Sequence, residues 1–396
     1  MTKQFAHNPV AVSEQLLTRI QNAGYAGNDP FDSLNSKLLK ATSLYRSEWV
    51  RLAWLQLGKR SPINLRPLLQ VPKMRNPKGV GLFISGLLQD YRRTGDSQYL
   101  QEARQLADWL LTQRSNREEW GHSCWGYHFD WQARAFYVPA GKPNMITTCY
   151  VARALYELGE VCADQSLMDV ALDAARFISM HLYSELDGRC FYAYIPGEGA
   201  FVHNASLWGA AWCAFAGTKL GDEALVHQAM KVARQSVQEQ AVDGSWVYGA
   251  LHHHQFIDGF HTGYNLEALC MVRDATGSAE FDASIQRGYG YYVNTFFSED
   301  GTARYYNNGP YPIDMHSFAQ AVFTLLKVGG SAADLQLCDK VVQRAIDLMY
   351  LPGKGQFIYQ KTRWLTNSIN YTRWTQAWAY YSLAFYNRYV WEKNNA

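Results

Sequence analysis

Aspartate, histidine and arginine gather at five places in this chain, each just ahead of an apolar run with helical spacing. The segments are Trp125-Gly-Tyr127-His128-Phe-Asp130-Trp131-Gln132, Phe201-Val-His203-Asn204-Ala-Ser206, Phe256-Ile-Asp258-Gly-Phe-His261-Thr262, Tyr311-Pro-Ile-Asp314-Met-His316-Ser317 and Asn370-Tyr371-Thr-Arg373-Trp374-Thr-Gln376. Carboxylates set among aromatic rings suit cleavage of a glycosidic bond. That reaction needs one protonated carboxyl to protonate the leaving oxygen and a second carboxylate to attack or to activate water. Asp130, Asp258 and Asp314 are the candidates for that pair, because burial raises the pKa of a carboxyl and keeps it protonated. His261 and His316 would position water or substrate. Tyr127, Trp131, Trp246 and Trp374 offer flat apolar faces for sugar C–H groups. His203, Asn204, Arg373 and Gln376 offer polar contacts for hydroxyls.

The same residues suit a second chemistry. Removing the C5 proton of a uronic acid, toward elimination or epimerisation, needs a His or Tyr base and a group that neutralises the substrate carboxylate. His203, Asn204, His261, Tyr127 and Arg373 fit those roles. A third reading is a glycan-binding or polysaccharide-assembly protein without catalysis. Each residue also has a structural use. Asn204, Thr262 and Ser317 fit as helix N-caps, and Asp258 and Asp314 as anions favoured by a helix dipole. His203, His261 and His316 fall at matching places in three successive units, which weighs against chance. Arg373 opposes the dipole at a helix start, so the sequence predicts that a bound carboxylate or phosphate compensates it.

The elements that position these residues repeat. Asp187-Gly188, Asp243-Gly244 and Asp300-Gly301 each open a short aromatic run, at intervals of 56 and 57 residues, and a degenerate copy begins at Gly353. A fixed period longer than one element marks a repeated supersecondary unit. Asp-Gly itself is a tight-turn signal, so these three aspartates are read as turn residues. Amphipathic, charged helices are predicted over 97–115, 166–183, 222–240, 279–297 and 333–350. Helices apolar nearly all round are predicted over 79–92, 146–160, 205–218, 262–275, 317–328 and 374–389, which marks them as buried on most sides. The segments 10–22 and 31–57 can supply the remaining outer helix and irregular N-terminal packing. Six inner and six outer helices close into a ring, leaving no terminal repeat exposed. The expected fold is therefore all-α, an (α/α)6 toroid with short β-hairpins in the loops, near Phe191–Tyr194 and Trp246–Tyr248. It is expected as a single domain over 1–396, with N-terminal helices in 1–60 and repeat units over 79–390. Parallel inner helices would gather their N-termini at one end, where unsatisfied N–H groups favour anions.

Composition narrows the partners. A formal charge of +2 with scattered Lys and Arg gives no basic stripe, so nucleic acid is excluded as a partner. No P-loop, GxGxxG after a strand, GxSxG, HExxH or paired CxxC occurs, and no metal or cofactor is expected. The seven Cys are odd in number and several lie inside apolar runs, so they read as small buried hydrophobes of a reducing compartment. With no apolar leader and no stretch able to span a bilayer, a cytoplasmic protein is expected.

The segments around Asp130, Asn204-Ala-Ser-Leu-Trp-Gly-Ala-Ala, Asp243-Gly-Ser-Trp-Val-Tyr-Gly, Phe256-Ile-Asp258-Gly-Phe-His261-Thr-Gly-Tyr-Asn-Leu-Glu and Arg373-Trp-Thr-Gln-Ala-Trp378 together carry a resemblance. Over roughly residues 80–390 the chain resembles a bacterial family of six-hairpin α/α-toroid proteins found in capsule and exopolysaccharide gene sets. More distantly it is similar to six-hairpin glycosidases, uronate lyases and N-acylglucosamine epimerases. The resemblance implies an oligo- or polysaccharide, anionic in character, as the substrate, and does not choose the reaction. His128 departs from the family pattern, which has a proline there.

Overall fold

Apolar periodicity and polar caps build this chain into alternating inner and outer helices. The structure, a computed structural model, describes residues 7–132 and 137–395. After α1 (Pro9–Asn22), an irregular stretch carries the short α2 (Lys37–Lys40) and α3 (Glu48–Arg60). Then α4 (Pro77–Thr94) and α5 (Ser97–Thr112) form the first hairpin, and the single turn α6 (Arg117–Trp120) follows. Further hairpins are α7 (Met145–Cys162) with α8 (Gln165–His181) and α9 (His203–Leu220) with α10 (Glu223–Gln238). The last are α11 (Gly259–Thr276) with α12 (Asp282–Thr295) and α13 (Met315–Phe323) with α14 (Ala332–Met349), after which comes α15 (Ala377–Asn395).

The inner helices α4, α7, α9, α11, α13 and α15 pack on one another in that order, and α15 returns to α4. They are buried nearly all round, whereas α5 buries one stripe, Ala103, Leu106, Ala107 and Leu110, and turns charge to solvent. This is the all-α toroid of six hairpins expected from the sequence. α1 is its sixth outer helix and lies against α14 and α15. Helix starts are set by short polar side chains: Asn76, Asn144, Asp258 and Asp314 each accept a backbone N–H from the first turn of α4, α7, α11 and α13. Asn204, Thr262 and Ser317, expected as possible caps, instead sit inside their helices.

Each aromatic loop rests on the outer helix of the following unit. Asp187 and Gly188, both with positive φ, turn the hairpin between β3 (Tyr183–Leu186) and β4 (Arg189–Tyr192). That hairpin lies against α10, where Arg189 pairs with Glu239 and Lys231 with Glu185. The Asp243-Gly244 turn lies on α12, so close that a Cβ on Gly244 would collide with the carbonyl of Arg287. At Gly301 (φ +86) a Cβ would stand 2.7 Å from the backbone of Lys340 in α14, and Arg344 of the same helix pairs with Asp300. The Gly353–Gly355 loop lies on α1, whose Arg19 donates to the carbonyl of Lys354. The repeat is thus a brace. The predicted hairpin at Phe191–Tyr194 begins earlier than expected, and Trp246–Tyr248 forms no strand. A further small pair joins β1 (Trp131–Gln132) to β2 (Tyr137–Val138).

Of the cysteines, 124, 149, 213, 270 and 338 are buried, whereas Cys162 and Cys190 are partly exposed, and all are free thiols. Among the described residues no helix is long and apolar enough to cross a membrane.

Candidate active site

The N-terminal ends of the inner helices meet at one end of the ring, and three layers of side chains lie beneath it. At the mouth, Asp258 does two jobs at the start of α11. Its Oδ1 accepts the backbone N–H of His261 at 2.8 Å, and its Oδ2 bonds His261 Nδ1 at 2.7 Å. The carboxylate is buried while the imidazole is about one-fifth exposed (20%). A carboxylate on Nδ1 fixes the tautomer and leaves Nε2 available as a proton acceptor or donor. Asp314, at the start of the adjacent inner helix α13, is fully buried. Burial pushes its carboxyl up to about 7, although the N–H of His316 and the amide of Gln360 oppose the rise. Its titration thus falls near neutral pH, where about half of such groups keep the proton.

Aromatic rings line the mouth. Tyr127 stacks on Phe129 and bonds Tyr194, Tyr248 stacks on Phe256 and touches His261, and Phe31 lies against Trp374. Lys59 sits 4.7 Å over the Phe31 ring, and Trp374 reaches inward to His316. The ring of Phe260 lies between two imidazoles, 4.0 Å from His261 and 4.8 Å from His316 by centroid.

Below the mouth, each inner helix contributes one side chain to a central layer: Lys78 from α4, Tyr150 from α7, Trp208 from α9, Tyr264 from α11, His316 from α13 and Trp378 from α15. Ring contacts of 4.5–6.3 Å connect the five cyclic side chains. Tyr264 bonds His316 Nε2 at 2.5 Å, and burial together with the nearby Lys78 charge keeps that imidazole neutral. A charged floor closes the layer: Glu267 takes Lys327 at 2.5 Å and Arg153 at 3.2 Å. Burial alone would raise the Glu267 carboxyl, but these two cations outweigh it and hold it at about 2.

The predicted residues fall into three groups. His261, Asp258, Asp314, His316, Tyr127 and Trp374 come together at the mouth or just under it, and Asn204 is buried in the first turn of α9 with its Oδ1 unpartnered. Asp130 is close by but committed elsewhere, to Lys40, Tyr45 and the N–H of Ala140. Burial raises its carboxyl, yet those three donors prevail and hold it below the usual range. That suits an ionised group and not a proton donor. Trp131 lies in β1 beside Tyr194.

The third group serves the scaffold. His203 bonds Ser236 of the outer helix α10 at 3.2 Å, and burial lowers its ring to about 4. Trp246 is buried with its indole N–H on the carbonyl of Ser236, and Gln376 bonds both backbone groups of Phe357. Nor do the three histidines occupy equivalent sites: His203 is the first residue of its helix, His261 the third and His316 the second. The anion expected at Arg373 is internal. Asp29 grips its guanidinium through two bonds of 2.6 and 2.8 Å, both partners buried.

Two features had no expectation attached. Lys78 follows Pro77 in an otherwise apolar run, and a charged residue inside such a run was the available signal. Asp29, Asp32 and Arg66 form a buried group in the N-terminal segment and carried no local signal.

No protein-family model matches this chain, and no curated protein is similar to it by sequence. Solved structures do share its shape. One is a cellobiose 2-epimerase from Bacillus thermoamylovorans B4167, 12% identical, covering 81% of this chain and 90% of its own, with a TM-score of 0.63. An unsaturated glucuronyl hydrolase specific for heparin is 12% identical over 98% of this chain and 96% of its own, with a TM-score of 0.66. The unsaturated glucuronyl hydrolase of Bacillus sp. GL1 is 14% identical over 95% of each chain, with a TM-score of 0.63. At these identities the likeness is one of fold alone: the chain has the six-hairpin α/α-toroid architecture of these structures.

Proposed function

We propose that this chain is a carbohydrate-active hydrolase that cleaves a glycosidic bond at the mouth of the toroid. Asp314 donates a proton to the leaving oxygen, and His261, held by Asp258, takes a proton from the attacking water. The observation that carries the reading is the Asp258–His261 pair, which presents a partly exposed imidazole with its other nitrogen on a buried carboxylate. A carboxyl raised to about 7 on the neighbouring helix supplies the acid. The acid and the base sit at the starts of adjacent inner helices, and inversion at the anomeric carbon would need room for a water between them. Aromatic faces at Tyr127, Tyr248 and Trp374 would carry the sugar rings. Asp314 is buried beside Trp374, so this role requires Trp374 to move aside when substrate binds.

A second reading draws on Phe260, which lies between His261 and His316. Two imidazoles in one aromatic cluster also suit removal and return of a carbon-bound proton, as in epimerisation. Incubation with neutral and acidic oligosaccharides in D2O, followed by NMR, separates the two. New reducing ends of inverted configuration support hydrolysis. Deuterium at a ring carbon without cleavage supports the second reading and overturns the first. Sugar binding with no turnover overturns both.

A further inference from the structure

Among the described residues three Lys or Arg side chains are fully buried, Arg66, Lys78 and Arg373, and of these Lys78 alone lacks a carboxylate partner. Arg66 holds Asp32, Arg373 holds Asp29, and Arg153 and Lys327 share Glu267. Lys78 is 4% exposed and makes no hydrogen bond or ion pair with any described residue. Its ammonium lies 4.6 Å over the Tyr150 ring, 5.3 Å over Trp378 and 5.8 Å over Tyr264. Aromatic faces attract a cation but do not satisfy its three N–H donors. A buried charge ordinarily has a hydrogen-bonding partner, and an exception calls for an explanation.

The surroundings point to a ligand. The indole N–H groups of Trp208 and Trp378, the hydroxyl of Tyr150, and the amide oxygens of Asn204 and Asn265 are also buried without partners. They lie in the first two turns of the inner helices. Donors and acceptors left open together suit a polyhydroxylated molecule, and the ammonium among them suits an anionic substituent. Burial and the neighbouring Arg373 push the Lys78 ammonium well below its usual range, and Asp29, already claimed twice by Arg373, offsets this only in part, so an anion bound beside Lys78 would restore its charge.

We propose that Lys78 is the anion-recognition residue of a sugar subsite in the central layer, so that the preferred ligand is a sugar bearing a compact anionic group. This rests on the carbohydrate reading of the mouth above it and adds the charge of the ligand. Carboxylate and sulfate share the required chemistry, and the test distinguishes them.

The experiment is calorimetric titration of the whole protein with glucuronate, glucose 6-sulfate and glucose, with tryptophan fluorescence followed in parallel because Trp208 and Trp378 lie in the layer. The wild-type protein should bind at least one anionic sugar about 10- to 100-fold more tightly than glucose, the range a charged hydrogen bond supplies. Whichever of the two binds more tightly identifies the group. In Lys78→Met that preference should vanish while glucose binding is unchanged. Thermal melting supplies the structural control. Removing an uncompensated buried charge should leave the unliganded Tm unchanged or raise it, whereas a lysine that merely props the fold would lower it. Equal binding of the three sugars by the wild-type protein overturns the role of Lys78 and leaves the carbohydrate reading standing. Absence of binding to all three overturns both.

Discussion

Replacing Asp258 by Asn separates the two jobs of that side chain. The amide oxygen can still accept the His261 N–H, which Asp258 Oδ1 now takes at 2.8 Å. Asn and Asp are about equal as N-caps, so this part of the perturbation costs only a few tenths of a kcal/mol. What is lost is the anionic acceptor on His261 Nδ1, now at 2.7 Å. One hydrogen bond to a partly exposed ring is worth about 1 kcal/mol net. For a chain of 396 residues, unfolding entropy scales so that about 1 kcal/mol moves Tm by roughly 1 °C. Asp258→Asn should therefore melt within about 1–2 °C of the wild type. Turnover should fall by about 10²–10⁴-fold, the range for a disabled acid–base group. Asp258→Ala, which also loses the cap at about 1 kcal/mol more, should melt lower still at the same residual turnover. The assays are reducing-end release and differential scanning calorimetry. Retention of turnover within severalfold in the Asn variant would refute the role of the pair. A fall in Tm several times larger than expected would make Asp258 a scaffold residue alone.

Further expectations concern the scaffold and the second acid. Asp29→Asn strands the buried Arg373 guanidinium and should cost about 3–5 kcal/mol in denaturant titration; adding Arg373→Met to the same chain should recover most of that loss. The Asp314 carboxyl is about 7 in the fold against 3.8 ordinarily. Between those values the folded state keeps a proton that the unfolded chain releases, so this group lowers stability as pH rises. Asp314→Asn should match the wild type near pH 4 and become the more stable protein by up to about 4 kcal/mol by pH 8, as melting across that range would show. Its turnover should be lost, while wild-type activity should decline above about pH 7 as the acid ionises. Gly301→Ala should destabilise more than Gly95→Ala. Both positions have positive φ, but an added Cβ meets the Lys340 backbone at Gly301 and open space at Gly95. Paired urea titrations would measure the difference.

The ring was legible because both of its signals are local. Apolar residues around every face marked the inner helices, and the Asp-Gly interval counted the units. The mouth was partly legible for the same reason: Asp258, His261, Asp314 and His316 lie within a few residues of helix starts. The register of those starts was not. Asp258 and Asp314 set them by capping, so α11 begins three residues and α13 two residues earlier than the predicted 262 and 317, and the apparent equivalence of the three histidines dissolved. Arg373 shows the larger limit. Its partner Asp29 lies 344 positions away, so nothing near either residue announced the pair, and an internal ion pair looked like an open anion site. Lys78 was missed for the converse reason. It follows Lys73, Arg75 and Asn76 at the start of α4, and its isolation from any carboxylate is visible only once the ring has closed.

The braces and the ring have a consequence for how the molecule assembles. Three loops rest on the outer helix of the next unit, but the loop at Gly355 rests on α1, and α15 packs between α1 and α4. The seam is thus closed by the first and the last helices together. On a growing chain, α1 and the seam-facing side of α4 keep their apolar surfaces uncovered until α15 has been made. Closing the seam joins ends separated by nearly the whole chain, yet the entropy of such a closure grows only with the logarithm of loop length. The central layer, which needs a side chain from all six inner helices, is therefore completed in the last step of folding. The six-sided layer of side chains comes into being with the closed ring and has no existence in any partial stack of hairpins.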